Sequence, residues 1–563
     1  MADGAASPFQ RIAHTPGNPE LPTLPAPGDP VDGLATPFGN IAGVTFGVPQ
    51  VNILPIGGAG PGVARGFAQF YLDELGAFPD PVDFKNITAN KERTITLHNT
   101  NRFTVDVSAV DLSALSGVSL ISPGLPVTIE SFASQIFTIE ADVAGDASFD
   151  GLAVFTTTVG TLTVRVLGRR VIVFDAEPQR GITERITFLS DLMTSDDGTE
   201  QAMSLRLAPR SQLKLKMRHS DNTERAIMIN RMLGAMHLPM AVQLWYQARK
   251  ITSAALSTDT VIQCDTASME IDILGDLSFV LPDRTTIEGE VDSFTASAVT
   301  LNQQIGVALP LGTFMMPLKI GVLNRRAQLA TYRTSFEDVD VSFEIFEYLD
   351  IANVDPAFFA THPVDSLPIS LAKLFFDGKV RKGRITSDTD RLDGEMGGIA
   401  QARSEPLSRP SQQILVQLNT LADQHAWRRF LHSLRGSWGQ FYVPTGTNDL
   451  PLDSDFTLGT NTFNVPPIGL TSFVGNVAPR RDVKITIAGV DYYRRITSVI
   501  DNVTFETVTL NSVIPGSGSV TPAEFFCSWL TLSRLVGDTA TFKHKQIGVS
   551  ELRFSIRGVI DGV

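Results

Sequence analysis

Cysteine is nearly missing from this chain: Cys264 and Cys527 are the only two in 563 residues. Two thiols so far apart give no disulfide framework and no metal set, so buried free thiols are expected. Positive charge is also short, with 46 Lys+Arg against 60 Asp+Glu, a net charge of -14 and a pI near 5.1. That balance argues against a nucleic-acid-binding surface as the main role, although SRPSQ (408–412) and RRFLHSLR (428–435) are locally basic. No window of eighteen apolar residues occurs, so no membrane span is expected. The first residues, MADGAASPFQRIAHTPGNPE, lack a positive region followed by an apolar core. No signal peptide is therefore expected, and the chain is expected to be made in a cytoplasm.

What the sequence does have is a passage written twice. GTEQAMSLRLAPRSQLKL (198–215) and GIAQARSEPLSRPSQQIL (398–415) agree without a gap at Gly198/Gly398, Gln201/Gln401, Ala202/Ala402, Ser204/Ser404, Leu207/Leu407, Ser211/Ser411, Gln212/Gln412 and Leu215/Leu415. Chance supplies about one such agreement, so the pattern reads as an ancestral duplication. Each copy leads into an alternating strand, a helix, an aromatic segment (AVQLWYQ or GQFYVP) and a β-rich stretch containing VTLN, at Val299–Asn302 and Val508–Asn511. SFEIFEY (342–348) and LRFSIRG (552–558) close the two units, with Phe343 matched to Phe554.

The composition is globular, 43% hydrophobic and 19% charged, and the length allows several domains. Residues 1–62 are a Pro/Gly-rich arm (TPGNPELPTLPAPGDPVDG) that cannot form a core alone; Phe38, Ile41, Val44, Phe46 and Val51 suit it to lying along a neighbouring subunit. Residues 63–175 are expected to hold a short helix, Ala64–Phe78, and then a β-sandwich, because strand patterns of period two recur with turns every 8–12 positions. Repeat one spans 176–348, a linker 349–394, and repeat two 395–563. In repeat one, Leu213, Leu215 and Met217 alternate with Lys214, Lys216 and Arg218, predicting a strand with one wet side. The following helix has Ser220 or Asp221 as its cap and a stripe of Ala226, Ile229 and Leu233; in repeat two, Thr420 and Asp423 have capping-box spacing. The fold expected is mainly β with a few short helices: an immunoglobulin-like β-sandwich followed by two homologous β-rich (α+β) domains.

The candidate chemistry is thin. GGAGPGVARG (57–66) superficially resembles a phosphate loop, but Pro61 removes a donor, Pro55 spoils the strand and no βαβ unit follows, so a turn or hinge is expected. The acidic runs SDDG (195–198) and DTDRLDGE (388–395) look like calcium loops. The second, however, has Ile399 where the bidentate glutamate belongs, and solvated turns are expected. His14, His98, His219, His237, His362, His425, His432 and His544 accompany no HExxH or GxSxG motif and are expected to be surface or half-buried residues. Trp427 and Phe430 on the second helix, and Trp245, Trp438, Phe441 and Tyr442 after the helices, are expected as core or interface anchors. No catalytic, cofactor-binding or metal-binding residue is assigned, no cofactor is expected, and the chain is not expected to be an enzyme.

Two family resemblances follow. The wording of TLHNTNRFTVDVSAVDL, PVTIESFASQIFTIEADV and FDGLAVFTTTVGTLTVRVLG resembles immunoglobulin-like modules of the ASH/MSP type, which are mostly binding or spacer units. The string TSDDGTEQ, then LRLAPR (205–210), a strand, a helix, and Leu244-Trp245-Tyr246 or Phe441-Tyr442-Val443-Pro444 resembles the distal-tail and tail-tip baseplate proteins of long-tailed bacteriophages. The likeness covers both repeats, about 330 residues by the ranges above, and only the first copy keeps DGTEQ and LRxxPR intact. The resemblance implies a structural virion protein, assembled in the host cytoplasm, that joins the tail tube protein to other baseplate and tail-fibre proteins, with DNA only as passing cargo. Two similar domains per chain would let three chains present six similar faces, so a homotrimeric ring of pseudo-sixfold symmetry is expected, a hexamer being the other arrangement. The alternatives are a host-surface or carbohydrate-binding protein using its immunoglobulin-like module, and a tail-tip hydrolase with carboxylates hidden among the acidic residues.

Overall fold

A computed structural model describes residues Glu74 to Val559, apart from 176, 180, 196–198, 220, 325–326, 334–335, 347–350, 371–382, 387–388, 394–398, 404–407 and 475–479. The Pro/Gly-rich arm, the loop 57–66 and residues 196–198 of the first acidic run lie outside the described residues, whereas Thr389–Asp393 of the second run, expected as a solvated turn, is a strand that pairs with Ile399–Arg403.

The alternating segments after Glu74 form nine strands: β1 (Leu75–Phe78), β2 (Val82–Ile87), β3 (Lys91–Asn99), β4 (Val105–Asp111), β5 (Val118–Ser122), β6 (Val127–Ile129), β7 (Ser134–Ala141), β8 (Ser148–Thr157) and β9 (Gly160–Arg170). They make two sheets, β1-β3-β7-β5 and β2-β9-β8-β4-β6. Period-two side chains from both sheets, including Phe84, Ile95, Phe137, Phe155 and Val164, fill the space between them. Leu75–Phe78, expected at the end of a helix, is instead strand β1, paired with Thr96–Asn99. A partner strand overrides local helical periodicity there.

The first repeat runs through β10 (Ile172–Phe174), β11 (Ile182–Thr187), β12 (Ser190–Thr194), β13 (Glu200–Ser204), β14 (Arg210–His219), α1 (Asn222–Ala235), β15 (Pro239–Gln243), β16 (Arg249–Lys250), β17 (Val261–Gln263), β18 (Asp276–Val280), β19 (Thr286–Phe294), β20 (Ala298–Leu301), β21 (Phe314–Leu323), β22 (Gln328–Arg333) and β23 (Phe336–Ile345). The second comprises β24 (Phe359–Thr361), β25 (Pro368–Ser370), β26 (Gly383–Thr386), β27 (Thr389–Asp393), β28 (Ile399–Arg403), β29 (Arg409–Leu418), α2 (Leu421–Leu434), β30 (Phe441–Pro444), β31 (Phe456–Thr457), β32 (Thr462–Val465), β33 (Asp482–Ile487), β34 (Val490–Asp501), β35 (Glu506–Leu510), β36 (Ser519–Val520), β37 (Phe525–Leu535), β38 (Thr539–Gln546) and β39 (Val549–Gly558). The molecule is mainly β, with few and short helices.

The two repeats share one pairing scheme. β14 lies between β11 and β23 as β29 lies between β26 and β39. The parallel pair β10–β15 recurs as β25–β30, and the hairpin β12–β13 as β27–β28. The VTLN stretches fall on β20 and β35, each pairing across a bulge in its neighbour, at Val291/Ser293 and at Ile496/Ser498. Each closing asparagine bonds back to that neighbour, Asn302 N–H to the Glu290 carbonyl and Asn511 N–H to the Arg495 carbonyl.

Three expectations about the repeats need correction. First, the passages matched at a spacing of 200, whereas the bounds of β12/β27, β13/β28, β14/β29 and α1/α2 all differ by 199. Leu215 therefore corresponds to the buried Ile414, not to Leu415, which turns away from the core. A slip of one residue changes the face of every side chain in a strand, so the core specifies this register while identity counting does not. The closing strands β23 and β39 differ by 213, which places Phe343 opposite Ile556 in the comparison instead of Phe554. Second, residues 349–394, expected as a linker, carry β24 to β27; β25 pairs with β30 and β26 with β29. Third, α1 buries Met228 and Met232, one turn apart, while Ala226 and Leu233 are exposed.

Helix α2 follows its sequence signals closely. Thr420 is extended and accepts the Asp423 N–H while the Asp423 carboxylate accepts the Thr420 N–H, and Arg435 ends the helix in the left-handed conformation. Its apolar side, Trp427, Phe430, Leu431 and Leu434, packs on Ile414, Val416, Leu418 and Phe554. Trp427 and Phe430 are core anchors as expected, as are Phe441 and Tyr442, while Trp438 is part exposed. Cys264 and Cys527 are buried free thiols, also as expected.

Candidate functional site

The densest chemistry lies where the repeats meet. β11 of the first repeat pairs along its length with β38 of the second, Ile182 opposite His544 through Thr187 opposite Thr539, so one sheet continues from repeat to repeat. Ile186 and Phe188 leave their own repeat and enter the core of the second, beside Leu535, Ala540, Phe542 and α2. At Gly436, φ is +81°, and a Cβ would meet the Phe188 Cβ at 2.8 Å. The absence of a side chain is what admits Phe188. Asp538 closes this end, accepting the Ser190 N–H at 2.6 Å and the Ser437 N–H at 3.0 Å.

Glu184, on the buried face of β11, meets Arg428 of α2, which reaches it through both Nη1 and Nη2, the latter at 2.7 Å. The same guanidinium donates through Nε to Glu270 at 2.5 Å and lies between the rings of Tyr246 and Phe542, 5.5 Å from each centroid. Burial alone would raise the Glu184 pKa, yet Arg428, with His544, holds it well below the carboxylate range. Burial likewise works against ionised Glu270, and Arg428 again wins, lowering it. His544 donates through Nε2 to Glu184 Oε2 at 3.2 Å, which leaves Nδ1 to accept the Ser550 hydroxyl at 2.7 Å when the ring is neutral, and it stacks on Tyr246 at 4.0 Å. Burial pushes its pKa down, against the pull of Glu184.

Ser550, His544 and Glu184 thus form a hydroxyl–imidazole–carboxylate chain, the arrangement that activates a serine nucleophile elsewhere. Here all three are buried, Glu184 is committed to Arg428, and the adjacent cavity of about 50 Å³ is lined by Glu184, Tyr246, Glu270 and Arg428 but not by Ser550. The Ser550 hydroxyl is enclosed, and the three side chains link β11 to β38 and β39 across the junction.

A second ionic contact crosses the junction. The Glu200 carboxylate, on the β12–β13 hairpin of the first repeat, is enclosed by Arg409, Arg534 (3.2 Å) and Arg557 (2.8 Å) of the second. Three cations around one carboxylate fix the hairpin against its neighbour, since removing the carboxylate would leave buried like charges together. The β-sandwich is fixed to the first repeat by similar means: Lys91 reaches Asp276 at 2.6 Å and Glu290 at 3.1 Å, and Arg93 binds Glu290 through both terminal nitrogens at 2.6 Å.

Of these residues His544 is named individually from sequence, as a surface or half-buried histidine, while Arg409 and Arg428 enter only within locally basic stretches. Glu184 in the strand-like ITERIT and Arg428 beside the apolar stripe of α2 are polar groups in core-facing patterns, which is the signal that could have found them. The histidines also need correction: His362, His432 and His544 are buried, not superficial. His362 bonds to Asp365 at 2.6 Å, and Arg495 joins Asp365 (2.8 Å) to Asp482 (2.7 Å), which ties the segment before β25 into the second repeat. Among the described residues no cluster of His, Cys, Asp and Glu suits a metal ion, and no helix is long and apolar enough to cross a membrane.

No protein-family model matches this chain, and no curated protein does. Among solved structures, the secreted serine protease VesC from Vibrio cholerae is similar at 7% identity over 44% of this chain and 50% of its own, with a TM-score of 0.16. This chain thus matches about half the length of that protease, and a likeness at this level carries no argument about fold or activity.

Proposed function

We propose that the chain is a structural virion protein, a subunit of the tail-tip or baseplate ring of a long-tailed bacteriophage, joining the tail tube to tip proteins and fibres. The observation that carries the reading is the continuous β11–β38 seam: one chain presents two copies of one fold, joined edge to edge as neighbouring subunits of a ring would be. Three chains would supply six near-equivalent repeats, which suits a threefold tip beneath a sixfold tube. The β-sandwich, clamped by Lys91 and Arg93, would then be a spacer or docking module held in one orientation. The reading draws further support from the sequence resemblance of both repeats to distal-tail proteins, and from a seam whose polar groups are spent on one another. The test is electron microscopy of phage particles decorated with an antibody to this chain. Label at the tail tip is the expected result. Label confined to capsids or to host membranes would sink the assignment.

A further inference from the structure

Within the chain, the second repeat offers the outer edge of β38 and the first repeat fills it with β11. The strands that correspond to these two are β22 and β26. Among the described residues β22 pairs with β23 alone and β26 with β29 alone, so each keeps one backbone edge open. An open sheet edge is a template for another strand.

We propose that β26 of one chain pairs antiparallel with β22 of a second copy, reproducing the β11–β38 seam between molecules. The proposal rests on reading the chain as a self-assembling subunit. Its register follows from the two spacings, 199 for β11 to β26 and 213 for β38 to β22, read from the shared pairings of each with its neighbour. Glu184 opposite Phe542 becomes Gly383 opposite Leu329 of the second copy. Arg185 opposite Thr541 becomes Arg384 opposite Gln328, and Ile186 opposite Ala540 becomes Ile385 opposite Ala327. The last pair has the same two residue types at both seams.

Burial supplies an independent argument. Ile186 is 1% exposed inside the chain, whereas Ile385 is 72% exposed. Phe542 is 0% exposed and its counterpart Leu329 is 49% exposed. On the helices, His432 is 6% exposed beneath Phe188, and its counterpart Leu233 is 80% exposed. The positions that the internal seam covers are thus apolar and bare at the other end of the chain. The partner that fits both the backbone edge and the apolar residues is the complementary end of the same protein. The contact is heterologous, one end of a chain on the other end of the next, so it closes into a ring or continues as a fibre.

The experiment is a double substitution, Ile385→Cys with Ala327→Cys, in the full chain. Directly opposed residues on antiparallel strands lie within disulfide reach, about 4.5–5.5 Å between Cα atoms. Both native thiols are buried and do not compete. Under mild oxidation the expected result is a covalent ladder on a non-reducing gel, ending at the copy number of the native assembly and collapsing with reductant. The companion pair Ile385→Cys with Ala330→Cys, about 10 Å out of register and on the opposite face, is expected to stay uncrosslinked. Because these sites are on the surface, a third variant, Leu329→Lys with Ile385→Asp, is expected to keep the circular dichroism of the parent while its native mass falls to that of one chain. Free thiols in the first pair with the native mass still multimeric would overturn this contact while leaving a ring subunit possible by another surface. A parent protein that is one chain at all concentrations would overturn the contact and the subunit reading together.

Discussion

Arg428 decides more at the junction than any other single residue, because two buried carboxylates from the first repeat depend on its charge. Truncating it leaves Glu184 and Glu270 facing each other without a cation, and breaking such a pair from one side costs about 3–5 kcal/mol. Arg428→Ala is therefore expected to lower the denaturant midpoint sharply. Glu270→Gln, which keeps a hydrogen-bonding partner for the guanidinium, is expected to lower it less. Gly436→Ala is a second residue-scale prediction. The new methyl would sit at positive φ and crowd Phe188, a combined strain of about 1–3 kcal/mol read as a lower thermal midpoint. The seam also sets a pH dependence. The His544 pKa is depressed below its ordinary 6.5, so the unfolded chain binds a proton that the folded chain refuses, and stability falls as pH drops below about 6.5. Glu184, depressed from its ordinary 4.5, adds a further loss as pH drops below about 4.5. Both act in the same direction: acid loosens the junction. Thermal midpoints measured from pH 8 down to about 5 should show the first step, and His544→Asn should flatten it.

At the scale of elements, α2 and α1 share a place in the fold but not a quality of signal. α2 has a full capping box and an aromatic stripe, and its bounds are close to those the sequence predicts. In α1, Asp221 accepts the Thr223 N–H at 2.8 Å, as expected of its cap, yet the buried face is Met228 and Met232. Ala226 and Leu233 made the wrong side of α1 look like the core, because sequence periodicity cannot separate a buried stripe from an exposed one. Thr420→Ala is expected to cost about 1 kcal/mol of stability by removing the acceptor for the Asp423 N–H, measured by denaturation. β11 and β26 carry the same Arg-Ile-Thr, 185–187 and 384–386, and among the described residues β11 meets a partner edge in β38 while β26 pairs with β29 alone.

For the whole molecule, the β11–β38 seam makes the two repeats one continuous sheet, and the edges of β22 and β26 that are open among the described residues set the expectation for assembly. Mass measurement on the native assembly is expected to return three copies of the 61.0 kDa chain. Six copies would keep the edge pairing and remove the pseudo-sixfold argument. High salt is expected to leave the β-sandwich in place, because the Lys91 and Arg93 contacts to Glu290 are largely shielded from solvent and screening acts mainly on exposed pairs. Limited proteolysis across a salt series would check this, an unchanged fragment pattern being the expected outcome.

That one unit occurs twice, that alternating strands dominate, where α2 begins and that the cysteines are isolated can all be read along the linear chain. These are local facts, carried by composition, period and cap chemistry. The correspondence at 199 emerges only in the folded molecule, because a strand's register is chosen by which face is buried, and two registers one residue apart read almost alike along the chain. The junction was equally out of reach. Glu184 and Arg428 are 244 residues apart, and nothing in either neighbourhood names the other until β11 is laid beside β38.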